Sequence, residues 1–219
     1  MSFTFAIGDI HGCYDEMAQM LETIETWWPG GTIVFLGDYI DRGPASRRVV
    51  ERLMAGPTKP GWSWILLKGN HEAMMVSALR GEADLYWWLG NGGDKTAAAY
   101  DGSPPDEVLD WADSLPTMHV DRHRIFVHAG IDDELPLDEQ SEETLLWRRP
   151  PEDYGGDYEG KHLCHGHTPL SFEPTTIGNR TNIDTGCVFG GFLTAALFDD
   201  DVPGAPLKFV RMASKASSG

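Results

Sequence analysis

Apolar and polar positions along the first third of the chain follow two alternating periods. Short runs of consecutive apolar residues, typical of buried strands, are separated by stretches in which apolar residues recur every three or four positions, as in helices. The predicted strands are "SFTFAI", "TIVFLGD" and "WSWILLKGN". The predicted helices are Tyr14 to Trp27, Pro44 to Met54 and "HEAMMVSAL". This β-α-β-α-β-α order favours an α/β core with parallel strands.

The second half of the chain is mostly predicted strand. Its apolar runs are "RIFVHAG", "KHLCHGHT", "TTIGNRTNIDTG", "GFLTAALFD" and "LKFVRMA", and an acidic helical segment, "DEQSEETLLW", interrupts them. Residues 81–115, which precede these runs, contain short Trp- and Ala-rich helical segments, and we interpret them as a helical insertion lying over the core. No linker-like change in composition marks a boundary, so we expect one domain over residues 1–212 and a flexible tail over 213–219.

Length and charge narrow the choice of function. A chain of 219 residues is long enough for one well-buried core. It carries 17 Lys and Arg against 34 Asp and Glu, a net charge of -17, which argues against broad binding to nucleic acid or to an anionic membrane. An anionic substrate would therefore have to be attracted by local positive charge.

The cysteines and the N-terminal residues indicate the cellular compartment in which the protein is expected. Cys13, Cys164 and Cys187 are an odd number without a framework spacing, which favours a reducing compartment. The N-terminal "MSFTFAIGDIHG" lacks the basic region and the long apolar run of a signal peptide. No segment approaches the roughly 18 apolar residues of a membrane span. We expect a cytoplasmic protein.

Five clusters of polar residues directly follow predicted strands. They are "GDIHG", "GDYIDRG", "KGNHE", "VHAG" and "HGHT". Groups at the carboxyl ends of strands in an open α/β sheet converge on one crevice, and the candidate ligands there are Asp9, His11, Asp38, Asn70, His128 and His167. Mixed carboxylate, amide and imidazole donors suit manganese, iron or zinc better than calcium or magnesium. Six ligands fit two metal ions that share a bridging carboxylate.

The ordered set of these motifs, from Asp9 to Thr168, resembles the calcineurin-like metallophosphoesterases. Within them it is similar to the phosphoprotein-phosphatase branch of serine/threonine phosphatases, in its compact bacterial and phage form. The later "NIDTGCVFGGFLTAALFD" resembles the C-terminal signature of that branch, so the resemblance spans nearly the whole chain. It implies an α/β fold in which a β-sandwich of two mixed sheets is flanked by helices.

The resemblance also implies a metal centre. Two divalent ions, manganese first and iron, zinc or nickel as alternatives, would share a hydroxide that attacks phosphorus directly. The first ion would be bound by Asp9, His11 and Asp38. The second would be bound by Asp38, Asn70, His128 and His167. Asp38 would bridge the ions, and Asn70 would also contact the substrate.

Further side chains would act on the substrate, again by resemblance. His71 would be the general acid that protonates the leaving oxygen, and Asp41 would orient it. Arg42 would bind the phosphoryl oxygens, a task suited to a planar guanidinium. A second arginine is expected after the "HAG" strand. In "LLWRRP" the family pattern falls on Arg149, with Arg148 in reserve.

Several neighbouring residues have interpretations that need no function. His165 would be a packing residue, because only the second histidine of "HGHT" falls on the ligand position. Glu72 could be ordinary first-turn helix chemistry. In "WWLGNGGDKTAAAY", Trp87, Trp88 and Asn91 belong either to the core or to the rim of the substrate cleft, and the sequence favours neither.

Three functions are compatible with these features. The leading hypothesis is a serine/threonine protein phosphatase, which acts on a phosphoprotein or a phosphorylated small molecule, with no nucleic acid or membrane partner. The alternative is a dinucleoside polyphosphate hydrolase resembling diadenosine tetraphosphatase. In that group the second motif typically lacks the aspartate before the arginine, so Asp41 favours the phosphatase. A third hypothesis is a catalytically inactive metal-binding interaction module.

Overall fold

Two five-stranded β-sheets, packed against each other, form the centre of the fold. The computed structural model describes residues 2–156 and 158–215. The strands in these ranges are β1 (Phe3–Ile7), β2 (Gly31–Phe35), β3 (Trp62–Leu66), β4 (Met118–Val120), β5 (Arg124–Val127), β6 (His162–His165), β7 (Thr175–Ile177), β8 (Arg180–Asn182), β9 (Phe192–Asp199) and β10 (Lys208–Ala213). The helices are α1 (Tyr14–Trp27), α2 (Ser46–Met54), α3 (Asn70–Leu79), α4 (Leu85–Trp88), α5 (Asp94–Ala99), α6 (Asp106–Ser114) and α7 (Glu142–Trp147).

Each sheet combines parallel and antiparallel pairs. The first has the order β10-β9-β1-β2-β3, in which β1, β2 and β3 are parallel. The second has the order β4-β5-β6-β8-β7, in which β5, β6 and β8 are parallel. The predicted α/β sandwich of two mixed sheets is confirmed. Because parallel strands end at one edge of their sheet, the loops that follow them lie side by side.

The alternation of side chains along the strands divides the core into layers. In β1, Phe5 and Ile7 pack in the layer formed with the helices, whereas Ala6 packs between the sheets. In β5, the ring of Phe126 meets the ring of Phe198, with 5.7 Å between centroids, in the layer between the sheets. The other face of β5 packs against α7. Both sheets are therefore covered on both faces, which fixes the positions of their edges.

The predicted elements are present, with differences at their ends. α1 spans the predicted residues, whereas α2 begins at Ser46 rather than Pro44. The predicted run over residues 175–186 contains the hairpin of β7 and β8, which ends at Asn182 and turns at Gly178 with a φ of 56°. The three-residue strand β4 was not predicted, because it is too short to establish an alternating pattern. Residues 81–115 hold α4, α5 and α6, and that this segment is an insertion into the domain stays a prediction.

The chain is folded slightly beyond the predicted domain end. β10 continues to Ala213, and the backbone N–H of Lys215 donates to the carboxylate of Glu16 at 2.7 Å. Residues 216–219 of the predicted tail lie outside the described residues, and the division at residue 212 stays a prediction. Within the described ranges, the helices are too short or too polar to cross a membrane.

Candidate active site

The six predicted ligands converge at the edge of the sandwich where the parallel strands end. They occupy the loops after β1, β2, β5 and β6 and the start of α3, and they are Asp9, His11, Asp38, Asn70, His128 and His167. All of them are buried, and the most exposed, His167, retains only 7% of its accessible surface. Charged and polar groups so far from water need partners to compensate for their lost hydration.

Asp38 lies at the centre of this cluster. Its Oδ2 is 3.4 Å from Nε2 of His11, and its Oδ1 is 3.4 Å from Nε2 of His128. Ligand atoms of His11, Asp38 and His71 lie within 4.8 Å of one another, and so do those of Asp38, His128 and His167. We call these the first and the second donor group. Asp38 belongs to both, as a carboxylate that bridges two metal ions must.

The second donor group brings the lone pair of His128 close to donor atoms of Asn70 and His167. Nδ1 of His128 donates to the carbonyl oxygen of Leu36 at 2.9 Å, so Nε2 of that ring carries a lone pair. This Nε2 lies 2.8 Å from Oδ1 of Asn70 and 3.2 Å from Nδ1 of His167. Burial lowers the pKa of His128 well below its usual range, which disfavours a second proton. A cation among these atoms would turn repulsion into attraction, so the residues fit a metal ion.

His11 is oriented in the same way in the first donor group. Its Nδ1 donates to the carbonyl oxygen of Ile40 at 2.8 Å, which leaves a lone pair on Nε2. That Nε2 faces Asp38 and accepts an N–H of the Arg42 guanidinium at 2.6 Å. Burial lowers the pKa of His11 well below its usual range, so the ring is a neutral donor. Neutral imidazole is the form that binds metal ions.

Asp9 is close to the cluster but belongs to neither donor group. Its carboxylate accepts the backbone N–H of His167, at 3.1 Å to Oδ2, and so joins the loop after β1 to the loop after β6. Burial raises the pKa of Asp9 well above its usual value, and the charges of Asp184 and Asp38 add to this effect. The prediction that Asp9 binds the first ion stays a prediction. A cation beside it would favour its ionised form.

His71 and Asp41 form a buried pair beside the cluster. Nδ1 of His71 donates to Oδ2 of Asp41 at 2.7 Å. The same carboxylate accepts from the indole N–H of Trp88 at 3.0 Å and from the hydroxyl of Thr96 at 2.7 Å. Burial raises the pKa of Asp41 to about 7, against the lowering effect of those two bonds. Nε2 of His71 remains to face the cluster, 4.0 Å from Oδ2 of Asp38.

The two arginines that follow α7 differ in their surroundings. The Arg148 guanidinium lies 3.7 Å from Asp132 and 3.9 Å from Asp133, so it holds the loop after β5. Arg149 is exposed. Burial lowers the pKa of His167 to about 4, and the positive charge of Arg149 contributes to that shift. Of these two arginines, Arg149 is therefore the residue whose charge acts on the second donor group.

Backbone strain is concentrated in the same loops. Seven non-glycine residues in the described ranges have positive φ, and five of them belong to the predicted site: His11 (44°), Asp38 (53°), Asp41 (72°), Arg42 (67°) and His167 (68°). Such conformations cost about 1–3 kcal/mol each and persist only where surrounding contacts impose them. At Gly166 a Cβ atom would collide with Oδ1 of Asp9, so this position requires glycine. Strain of this kind is typical of functional sites.

Two buried carboxylates of the site were not predicted to have a role there. Glu72 accepts the backbone N–H groups of Asp38, Tyr39 and Gly69 at 2.8–2.9 Å, so it joins the loop after β2 to the start of α3. The charge of Asp184 acts on Asp9 and Asp38, and burial raises the pKa of Asp184 to about 6. Glu72 and Asp184 are part of quoted motifs, "GNHE" and "NIDTG". Asp38 and Tyr39, however, come from a segment that is distant from Glu72 in sequence, and the motif does not identify them as its partners.

Trp87 and Trp88, which the sequence could assign either to the core or to the rim of the cleft, differ in their burial. Trp88 retains 1% of its accessible surface, so it belongs to the core beneath Asp41. Trp87 is 45% exposed, and its carbonyl oxygen accepts from the amide of Asn91 at 2.8 Å. His165 is buried and lies outside both donor groups, which agrees with the predicted packing role.

Two mixed sheets with two donor groups around one shared carboxylate define a metal-dependent hydrolase of the two-sheet α/β type. A family model described as calcineurin-like phosphoesterase matches residues 4–201, and the chain belongs to that family. The resemblance inferred from the motifs is confirmed. Hydrolysis of phosphoesters with two metal ions is the chemistry of this family.

Similar proteins refine the comparison. Bis(5'-nucleosyl)-tetraphosphatase PrpE (asymmetrical) of Bacillus subtilis is 32% identical over an alignment of 225 positions, gaps included, which covers 89% of this chain and 90% of the relative. The protein of the same name from Bacillus cereus strain B4264 is 28% identical over an alignment of 235 positions, which covers 89% of each chain.

Two solved structures share the fold. A crystal structure provisionally described as a diadenosine tetraphosphatase superposes with a TM-score of 0.71 at 22% identity, covering 97% of this chain and 94% of that one. A serine/threonine phosphatase of Saccharomyces cerevisiae superposes with a TM-score of 0.62 at 16% identity, covering 98% and 80%. At such identities the likeness concerns the fold alone.

Removal of the Glu72 carboxylate should destabilise the site and the protein. In Glu72→Ala, three buried N–H groups lose their acceptor, and we expect a loss on the order of 3 kcal/mol in the free energy of unfolding. Urea unfolding measures it, with Glu82→Ala, an exposed position just beyond α3, as the matched control. Equal stabilities of the two variants would contradict the role assigned to Glu72.

Proposed function

We propose that this protein hydrolyses dinucleoside polyphosphates, and that it cleaves bis(5'-nucleosyl)-tetraphosphates asymmetrically into a nucleoside triphosphate and a nucleoside monophosphate. The observation that carries the proposal is the 32% identity to a tetraphosphatase of this specificity along about nine-tenths of both chains. A fold match at low identity could not separate substrates within the family. Similarity over about nine-tenths of both chains supports a shared substrate class.

This proposal replaces the leading hypothesis of the sequence, which rested on Asp41. The Asp41 side chain has no accessible surface and is enclosed by His71, Trp88 and Thr96. It therefore cannot touch a substrate. The aspartate before Arg42 orients His71, and it makes no direct contact that could distinguish a phosphate of a protein from one of a nucleotide.

The metal ions would be held by the residues that the sequence predicted. Their carboxylate, amide and imidazole groups are suitable ligands for such ions. We assign Asp9, His11 and Asp38 to one ion and Asp38, Asn70, His128 and His167 to the other. Manganese is the first choice, with iron, zinc or nickel as alternatives. When bound, such ions polarise phosphoryl oxygens and lower the pKa of water. A chain that kept every donor only for binding, as in an inactive module, would have no use for the His71 and Asp41 pair.

The side chains of the protein would bind and protonate the substrate. Arg42 and Arg149 would bind phosphoryl oxygens of the polyphosphate, which is repelled by the overall charge of -17 and needs local cations. His71 is our candidate for the proton donor to the phosphate that leaves when the P–O–P bond breaks and a water oxygen bonds to phosphorus. Asp41 would orient it through Nδ1. His71 also belongs to the first donor group, which places it beside the phosphate that the ions would hold.

A comparison of two substrates tests the proposed function. With Mn²⁺ supplied and a chelator control, kcat/KM is measured for diadenosine tetraphosphate and for a phosphoserine peptide, and products are separated by chromatography. We expect a clear preference for the dinucleotide, with ATP and AMP as products. A preference for the peptide would return the protein to the phosphatase hypothesis. ADP as the only product would contradict asymmetrical cleavage, because symmetrical cleavage gives two molecules of ADP.

The two neighbouring arginines should differ in their effect on catalysis. Arg149→Ala removes a positive charge that acts on the second donor group, so we expect kcat/KM to fall about tenfold to a hundredfold. Arg148→Ala removes an ion pair with Asp132 and Asp133 and should cost less activity. Steady-state kinetics of both variants measure the difference. A larger loss in Arg148→Ala would show that the second phosphate-binding arginine has been misassigned.

A further inference from the structure

We propose that the stacked rings of Trp87 and Trp147 bind one nucleobase of the dinucleotide and make the site prefer it to a simple phosphoester. The inference rests on the proposed function and adds to it the surface that would distinguish a nucleotide from other phosphates. We call these two residues the tryptophan stack.

The tryptophan stack leads outward from the metal centre. The ring of Trp147 lies 6.1 Å from the ring of His167, centroid to centroid, at an interplanar angle of 82°. The ring of Trp87 lies 5.8 Å from that of Trp147 and is inclined to it by only 24°. A continuous row of rings therefore connects a member of the second donor group with an exposed aromatic surface.

The tryptophan stack combines exposure with a fixed position. Trp87 is 45% exposed, and Trp147 is half-buried. The backbone carbonyl of Trp87 accepts from the Asn91 amide, and the next residue, Trp88, is anchored in the core by its bond to Asp41. An indole held in this way loses little conformational freedom when a ligand covers it. Exposed aromatic area that is already ordered is favourable for binding.

The neighbouring charges match the other end of a nucleotide. Arg149 follows Trp147 by two residues, and its charge acts on His167, beside which the Trp147 ring lies. Phosphates bound there would direct the attached ribose and base along the row of rings. A nucleobase offers a flat π surface, and its stacking on an aromatic side chain is worth about 1–3 kcal/mol. A phosphoserine side chain has no such surface and would gain nothing from it.

A purely structural role makes a different prediction. Contact between Trp87 and Trp147 joins the 81–115 segment to the loop after α7, and it could serve only to hold Arg149 in place. Loss of Trp87 would then weaken every phosphate ligand alike. A base-binding role predicts instead a loss confined to ligands that carry a base.

The experiment compares variants at position 87 on ligands with and without a base. Steady-state constants for diadenosine tetraphosphate, and the inhibition constant of inorganic phosphate, are measured for Trp87→Ala and Trp87→Phe. Trp27→Ala is the matched control, because Trp27 is 76% exposed at the C-terminal end of α1, away from the metal centre.

In Trp87→Ala we expect KM for the dinucleotide to rise about tenfold to a hundredfold, with kcat and the phosphate inhibition constant nearly unchanged. Trp87→Phe should restore most of the affinity, and Trp27→Ala should match the wild type. An unchanged KM in Trp87→Ala, or an equal weakening of phosphate, would overturn the inference. Failure of the proposed function is seen separately, as a wild-type protein that does not hydrolyse the dinucleotide at all, and it would overturn the inference as well.

Discussion

The structure depends on the close grouping of metal-binding nitrogen and oxygen atoms around Asp38. Its carboxylate lies between Nε2 of His11 and Nε2 of His128, each 3.4 Å away, and all three side chains are buried. Both imidazoles donate their Nδ1–H to a backbone carbonyl, so the lone pairs on Nε2 point toward the carboxylate, and that of His11 also accepts from Arg42. Burial raises the pKa of Asp38 well above its usual range, because an ionised carboxylate is unfavourable here until cations occupy the site. The fold is therefore built to hold positive charge at one edge of the sandwich.

The rest of the site keeps this arrangement in place against its own repulsion. Two sheets with parallel strands direct their loops to the same edge, and buried groups then fix those loops. Glu72 ties three backbone N–H groups together, while Trp88 and Thr96 hold Asp41 beneath His71. The strained φ values of the site residues are imposed by these contacts. The strain lowers the stability of the fold, and the contacts that impose it keep the metal centre rigid.

The fold, and the convergence of the candidate ligands at one edge, could be predicted from the sequence because their signals are local. The bounds of α1 follow from helical periodicity, and the ligands follow from short motifs placed after strands. The supporting contacts were not predictable in this way. Trp88 and Asp41 are 47 positions apart, and Asp38 and Glu72 are 34 apart, so only the packing of the insertion and of α3 brings them together. The preference for a phosphoprotein rested on Asp41, whereas the identity to a bis(5'-nucleosyl)-tetraphosphatase fits the alternative better.

The most direct test of this account is the metal content of the protein together with its stability. The protein is stripped with chelator and titrated with Mn²⁺; bound metal is determined by elemental analysis and thermal unfolding by calorimetry. The account predicts two ions per chain and a midpoint that rises with metal concentration, because the ions bind the folded state and relieve its repulsion. One ion or none at saturation, or a midpoint that does not respond to metal, would contradict it.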